Sequence, residues 1–126
     1  MSIAAELSER ARATGRLGVD TEFMGEGRYR SLLCLVQVPV QGEGDEARVE
    51  VLDPLDDSLD PSPLADVLAD PAIEVVVHAG RQDVALLKRV WNTDVTNLFD
   101  TQVAAGFAGQ VAYERTAGLG LRPAAP

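Results

Sequence analysis

Asp20 and Glu22 stand two positions apart in Gly18-Val19-Asp20-Thr21-Glu22-Phe23, a run suited to a β-strand. Side chains two apart on a strand face the same side, so these carboxylates project together, roughly 7 Å apart at the backbone. Gly18 falls on that side and leaves open space there, while Leu17, Val19 and Phe23 point the other way. Two adjacent carboxylates near a core are costly without a cation between them, and hard divalent ions such as Mg2+ or Mn2+ suit oxygen donors. Taken alone, the pair has a simpler reading as a strand end dipping into water with two hydrated acids.

A second group, His78-Ala79-Gly80-Arg81-Gln82-Asp83, follows a β-branched run and opens a helix. Asp83 falls in the first helical turn, where the helix dipole favours an acid by a few tenths to about 1 kcal/mol. His78 could be a ligand or a base, though a lone histidine at a strand end is more often structural or substrate-facing. Arg81 could meet a phosphate or simply be solvated. In Asp100-Thr101-Gln102 the structural reading is the stronger one, because Asp100 is a good N-cap for the helix after it. No Gly-x-Ser-x-Gly elbow, phosphate loop or paired-cysteine zinc spacing is present.

The elements that must position these groups follow from periodicity. Ile3, Leu7 and Ala11 predict a helix over 3–14 with Gly15 as its stop. Strands are predicted over Leu17–Phe23, Leu32–Val40 and Arg48–Val51, with a hairpin connection at 41–45. Ser62-Pro63 reads as a capping serine with proline at the first helical position. Leu64, Val67 and Leu68 supply that helix's buried stripe. Ile73–Val77 reads as a strand buried on both faces, and Gly80–Trp91 as a helix with Val84, Leu87 and Trp91 on one side. A short strand at Val95–Phe99 precedes a last helix that should stop near Gly109. Helix, three strands, then alternating helix and strand is an α/β order with a mixed sheet flanked by helices.

Composition adds bounds. At 126 residues the chain is one domain's worth, and 46% hydrophobic with 25% charged residues is ordinary for a globular protein. No run approaches the length of a membrane span and no secretory signal opens the chain, so a cytoplasmic protein without a membrane partner is expected. Cys34 lies in an apolar run and is expected to be a buried bystander. The net charge of −9 would argue against nucleic acid, but Glu43–Glu74 holds eleven of the twenty acids and a single base. The remainder carries nine acids and ten bases, so the acidity belongs to one stretch.

Taken in order, Gly18–Phe23, Tyr29…Leu32–Gln37, Val51–Leu55, His78–Asp83 and Leu98–Ala105 resemble the ribonuclease D family of DEDD-class 3′–5′ exonucleases. Any one of these motifs is common; the set in this order, from about residue 15 to about 109, is specific. The resemblance implies the RNase H-like exonuclease fold, a mixed five-stranded sheet with helices packed on it. It implies that Asp20, Glu22 and Asp83 are catalytic metal ligands for two Mg2+ or Mn2+ ions and that no small-molecule cofactor is used. It places Phe23 and Met24 where the family packs the terminal nucleotide, with His78, Arg81 and Gln82 as substrate contacts and Tyr29 and Arg30 as further candidates. The implied activity is hydrolysis of 3′-terminal phosphodiester bonds of RNA, with DNA as the other nucleic acid the same carboxylates serve.

The family's third motif, a tyrosine followed four residues later by an aspartate, has no counterpart after Asp100. Tyr113 is followed at that spacing by Ala117, and Glu114 is the only later acid. The expectation is therefore one domain over 1–126, C-terminally incomplete, with 110–126 an irregular tail and missing helices that another chain could supply. Little or no nuclease activity is expected of this polypeptide alone. The alternative is a non-catalytic remnant of the exonuclease fold that binds nucleic acid or protein.

Overall fold

The structure, a computed structural model, describes residues 1–25, 31–42, 44 and 46–118, with side chains as far as residue 109 at the C-terminal end. Helix α1 (Ile3–Thr14) starts where the Ser2 hydroxyl accepts the Ala5 N–H and ends at Gly15, whose φ of 80° only glycine adopts cheaply. Its buried face is Ala4, Leu7, Ser8 and Ala11; Leu7 and Ala11 are as the i, i+4, i+8 spacing predicts, while Ile3 is only half-buried at the edge of the core.

The strand expected at Leu17–Phe23 is realised as β1 (Arg16–Gly18) and β2 (Asp20–Met24), separated only by Val19. β3 (Leu32–Gln41) and β4 (Ala47–Leu52) add to β2 as an antiparallel ladder, whereas β5 (Glu74–Val77) and β6 (Leu98–Asp100) add to β1 in parallel. The Val19 N–H donates to the Val76 carbonyl at 3.0 Å, joining the two ladders through one continuous segment. Counting 16–24 as one strand gives the mixed five-stranded order β4-β3-β2/β1-β5-β6.

The break at Val19 has a local cause. Continuing the β2–β3 register back from the Asp20–Gln37 pair brings Gly18 opposite Pro39, which has no N–H to give. A Cβ built on Gly18 would lie 2.5 Å from Pro39 Cγ, so the open space expected beside Gly18 is filled by the proline ring. A bulge follows: Glu22 pairs with Leu35 but Phe23 with Leu33, leaving Cys34 as the extra residue. Cys34 is accordingly half-buried rather than a core residue. The bulge also changes the parity of β3, so that Leu33 and then Val36, Val38 and Val40 all face the core.

Helix α2 (Ser62–Ala69) buries Leu64, Val67 and Leu68 as expected, but Ser62 does not cap it. Pro61 occupies the cap position, and the Ser62 N–H is taken by Asp60 Oδ1 at 3.0 Å. β5 buries Val75 and Val77, with Glu74 and Val76 only half-covered, so one of its faces is closed and not both. Helix α3 (Arg81–Trp91) turns Asp83, Leu86 and Leu87 inward, with Val84 and Trp91 at the margin. Helix α4 (Thr101–Gly118) runs past Gly109, contrary to the predicted stop. Gly109 is not among the glycines with positive φ, so it lies within the helix and caps nothing. The irregular tail expected from 110 is thus helical to 118, and 119–126 lie outside the described residues, as do Glu43 and Asp45 of the hairpin connection. Among the described residues no helix is long and apolar enough to cross a membrane.

Candidate active site

Asp20 and Glu22 lie on β2 with exposed side chains on one face, while Thr21 between them is buried on the other. β5 accompanies this strand only as far as the Val19–Val76 bond, then leaves at Ala79-Gly80 to become α3. The next N–H on that edge is that of Thr21, and it would have no ladder partner. Asp83 takes its place: Oδ1 accepts the Thr21 N–H at 3.2 Å and the Thr21 hydroxyl as well. Asp83 is 6% exposed and thus sits at the point of the strand that carries the acidic pair. The helix dipole alone predicts an acid there, but not this partner.

The three carboxylates share a neighbourhood without converging. Among the described residues no group of three His, Cys, Asp or Glu side chains is gathered as a metal cage. Asp20, Glu22 and Asp83 Oδ2 take no hydrogen bond among those residues, so oxygen donors are left over on each.

Asp100 does more than cap α4. Its Oδ1 accepts the N–H groups of Gln102 and Val103 at 2.9 and 3.4 Å, the cap geometry expected from sequence. The same carboxylate accepts the Ala79 and Gly80 N–H groups, each at 3.0 Å. Ala79 has φ of 52°, a conformation costly for alanine, and the two successive N–H groups form a small anion-binding concavity filled by Asp100. These bonds, first that from Gly80 and then those from Ala79, Gln102 and Val103, hold the Asp100 carboxyl below its ordinary pKa.

A pKa lowered by folding contributes stability that is present above the unfolded value near 4 and is lost as pH falls through the folded value. Asp100→Asn keeps one acceptor oxygen and removes the charge. The melting-temperature gap between wild type and D100N is therefore expected to be constant near neutral pH and to narrow below about pH 4. Thermal melts of both proteins across that range check this; a gap that widens in acid would refute it.

The remaining predicted residues divide between two clefts. Phe23 and Gln82 line one of about 290 Å3 together with Ser31, Ala85, Leu86 and Arg89. Arg89 is not among the residues expected from sequence, although positions 82, 85, 86 and 89 repeat at helical spacing and so share a face. Asp20 and His78 line another, of about 330 Å3, with Gly18, Pro39 and Thr101 among its walls. His78 Nδ1 lies 2.8 Å from the Thr101 hydroxyl. Met24 and Arg81 are exposed and lie in neither cleft, and Tyr29 and Arg30 fall outside the described residues. A further cleft, about 520 Å3 between α2 and the turn after α3, includes none of the predicted site residues.

The chain belongs to the 3′-5′ exonuclease family, whose model matches residues 2–120. Within it the chain is similar to ribonuclease D. Ribonuclease D of Acidiphilium cryptum (strain JF-5) is 41% identical over 113 residues, which cover 87% of this chain and 28% of that protein. The enzyme of the same name from Granulibacter bethesdensis is 42% identical over 99 residues, covering 76% and 24% respectively. The crystal structure of Escherichia coli RNase D, an exoribonuclease involved in structured RNA processing, superposes with a TM-score of 0.70 at 35% identity. That match covers 84% of this chain and 27% of the other. The chain thus spans about a quarter of the length of these relatives, and the RNase H-like exonuclease fold expected from its motifs is the fold it has.

Proposed function

We propose that this chain carries 3′–5′ exonuclease chemistry on RNA, with Asp20, Glu22 and Asp83 as its metal-binding carboxylates. The observation that supports this most is the placement of Asp83 against Thr21, which brings a buried carboxylate to the strand segment bearing the other two. The donor set suits Mg2+ or Mn2+: all three groups are hard oxygen ligands with lone pairs uncommitted among the described residues. Divalent ions held there would supply the positive charge that activates water and stabilises a leaving 3′ oxygen. Phe23 offers a face on which the terminal base stacks, and Arg89, Gln82 and Arg81 offer donors to the strand. RNA is favoured over DNA by the similarity to ribonuclease D, and the cytoplasm is the compartment proposed.

Calorimetric titration with Mn2+ tests the site: binding by wild type and its loss in Asp20→Ala are expected. Residues 101–126 contain no aspartate to act as a fourth ligand, so cleavage by this polypeptide alone is expected to be slight. Efficient release of single nucleotides from the 3′ end of a 5′-labelled RNA, abolished by Asp20→Ala, would overturn that expectation.

A second reading has one observation in its favour. Asp83 replaces a missing ladder partner for Thr21, which is a structural role sufficient to retain it. Absence of Mn2+ binding would favour this reading, a non-catalytic module that keeps the exonuclease fold.

A further inference from the structure

We infer that Thr101 locks the ring of His78 in the tautomer protonated at Nδ1, presenting Nε2 as a hydrogen-bond acceptor for a ribose hydroxyl at the substrate's 3′ end. This rests on the exonuclease reading above and assigns His78 a part in it that the motif alone does not specify.

One proton decides the tautomer. The Thr101 hydroxyl has one hydrogen and two neighbours in reach, the Val77 carbonyl at 3.2 Å and His78 Nδ1 at 2.8 Å; a carbonyl can only accept, so both contacts are hydrogen bonds only when the hydrogen goes to Val77. Toward His78 Nδ1, at 2.8 Å, the same oxygen can then only accept. On this assignment Nδ1 carries the proton, and the neutral ring has a bare lone pair at Nε2. Nε2 has no partner among the described residues, and the His78 side chain is exposed. Unconstrained imidazole does not favour this tautomer, so the contact with Thr101 has a chemical consequence. The backbone after His78 is held from the same segment, through the bonds from Ala79 and Gly80 to Asp100.

The chemistry of the cleft narrows what Nε2 can receive. Phosphate oxygens are acceptors and cannot meet a lone pair. Base amino groups belong with the stacking surface of the other cleft, around Phe23, Ala85 and Leu86, which shares no lining residue with this one. The cleft of Asp20 and His78 is then left to the sugar, whose hydroxyls are donors. An RNA terminus carries two candidates, the 2′- and 3′-hydroxyls, and both present the same O–H chemistry to Nε2.

His78 is the only histidine in the chain, so its ring nitrogens can be read directly by long-range 1H–15N NMR on the intact protein. At a pH where the ring is neutral, Nδ1 is expected at the pyrrole-type position and Nε2 at the pyridine-type position. Thr101→Val should reverse the two, and Thr101→Ser should restore the wild-type pattern. A wild-type ring protonated at Nε2 would overturn the inference without touching the exonuclease reading. In the second arm, adenosine 5′-monophosphate with Mg2+ is titrated in, and Nε2 is expected to move upfield as it accepts a hydrogen bond. The 2′,3′-dideoxy nucleotide should perturb the Phe23 amide but leave Nε2 in place. The singly deoxygenated nucleotides then tell which hydroxyl donates. If the ribonucleotide shifts the amides of Asp20 and Phe23 while Nε2 stays put, the nuclease site stands and this inference falls. If it shifts nothing, both fall.

Discussion

Replacing Asp83 by alanine is expected to cost about 1–3 kcal/mol of stability and to weaken Mn2+ binding in the same protein. The stability loss follows from Thr21. Its N–H and hydroxyl both rely on Asp83 Oδ1, and Thr21 is buried where water cannot substitute. Asp83→Asn separates the two roles, because an amide oxygen still accepts from Thr21 but carries no charge for a metal. D83N is thus expected to unfold in denaturant close to wild type while losing Mn2+ affinity by about 10-fold or more. Denaturant melts and calorimetry on the two variants decide the matter. If D83N binds Mn2+ like wild type, Asp83 is only a ladder substitute and the second reading of the site gains.

The largest purely structural effect is expected in the core under the sheet. Leu68 of α2 is 1% exposed and belongs to the buried cluster that also holds Leu7, Val36, Val38 and Val75. Leu68→Ala removes its buried methyl groups and leaves a cavity, for about 2–5 kcal/mol. For a domain of this size that is a large share of a total near 5–15 kcal/mol, and a fall of about 10 °C or more in melting temperature follows. A loss below about 1 kcal/mol would mean that α2 does not pack as described.

Much of this architecture is legible in the amino-acid sequence. Period-3.6 spacing locates α1 and α3, period-2 alternation locates β4, and apolar or β-branched runs locate the other strands to within a few residues, because burial leaves its mark on the sequence. The Asp20–Glu22 spacing and the strand-to-helix junction at His78–Asp83 are visible for the same reason. What stays hidden depends on contacts across the chain. Pro39 closing the space at Gly18, and the extra residue at Cys34, are register events between strands that single-strand alternation cannot reveal. Asp100 reads as a cap and is also the counter-charge of the Ala79-Gly80 turn, about twenty residues earlier in the chain. The length of α4 leaves no mark because Val103 and Phe107, the latter 67% exposed, form no buried stripe.

The shared strand at 16–24 has a kinetic consequence. Its antiparallel partners are sequence neighbours that can close early as a meander, whereas its parallel pairing joins Arg16 to Glu74 across a long loop. Contacts of high sequence separation form late, so the order of assembly is meander first, parallel half second. Because one segment serves both, neither half can be lost without disturbing the other. The Val19 amide, at the junction, should then exchange its hydrogen only in global unfolding; faster exchange there than in β3 would show that the halves open separately.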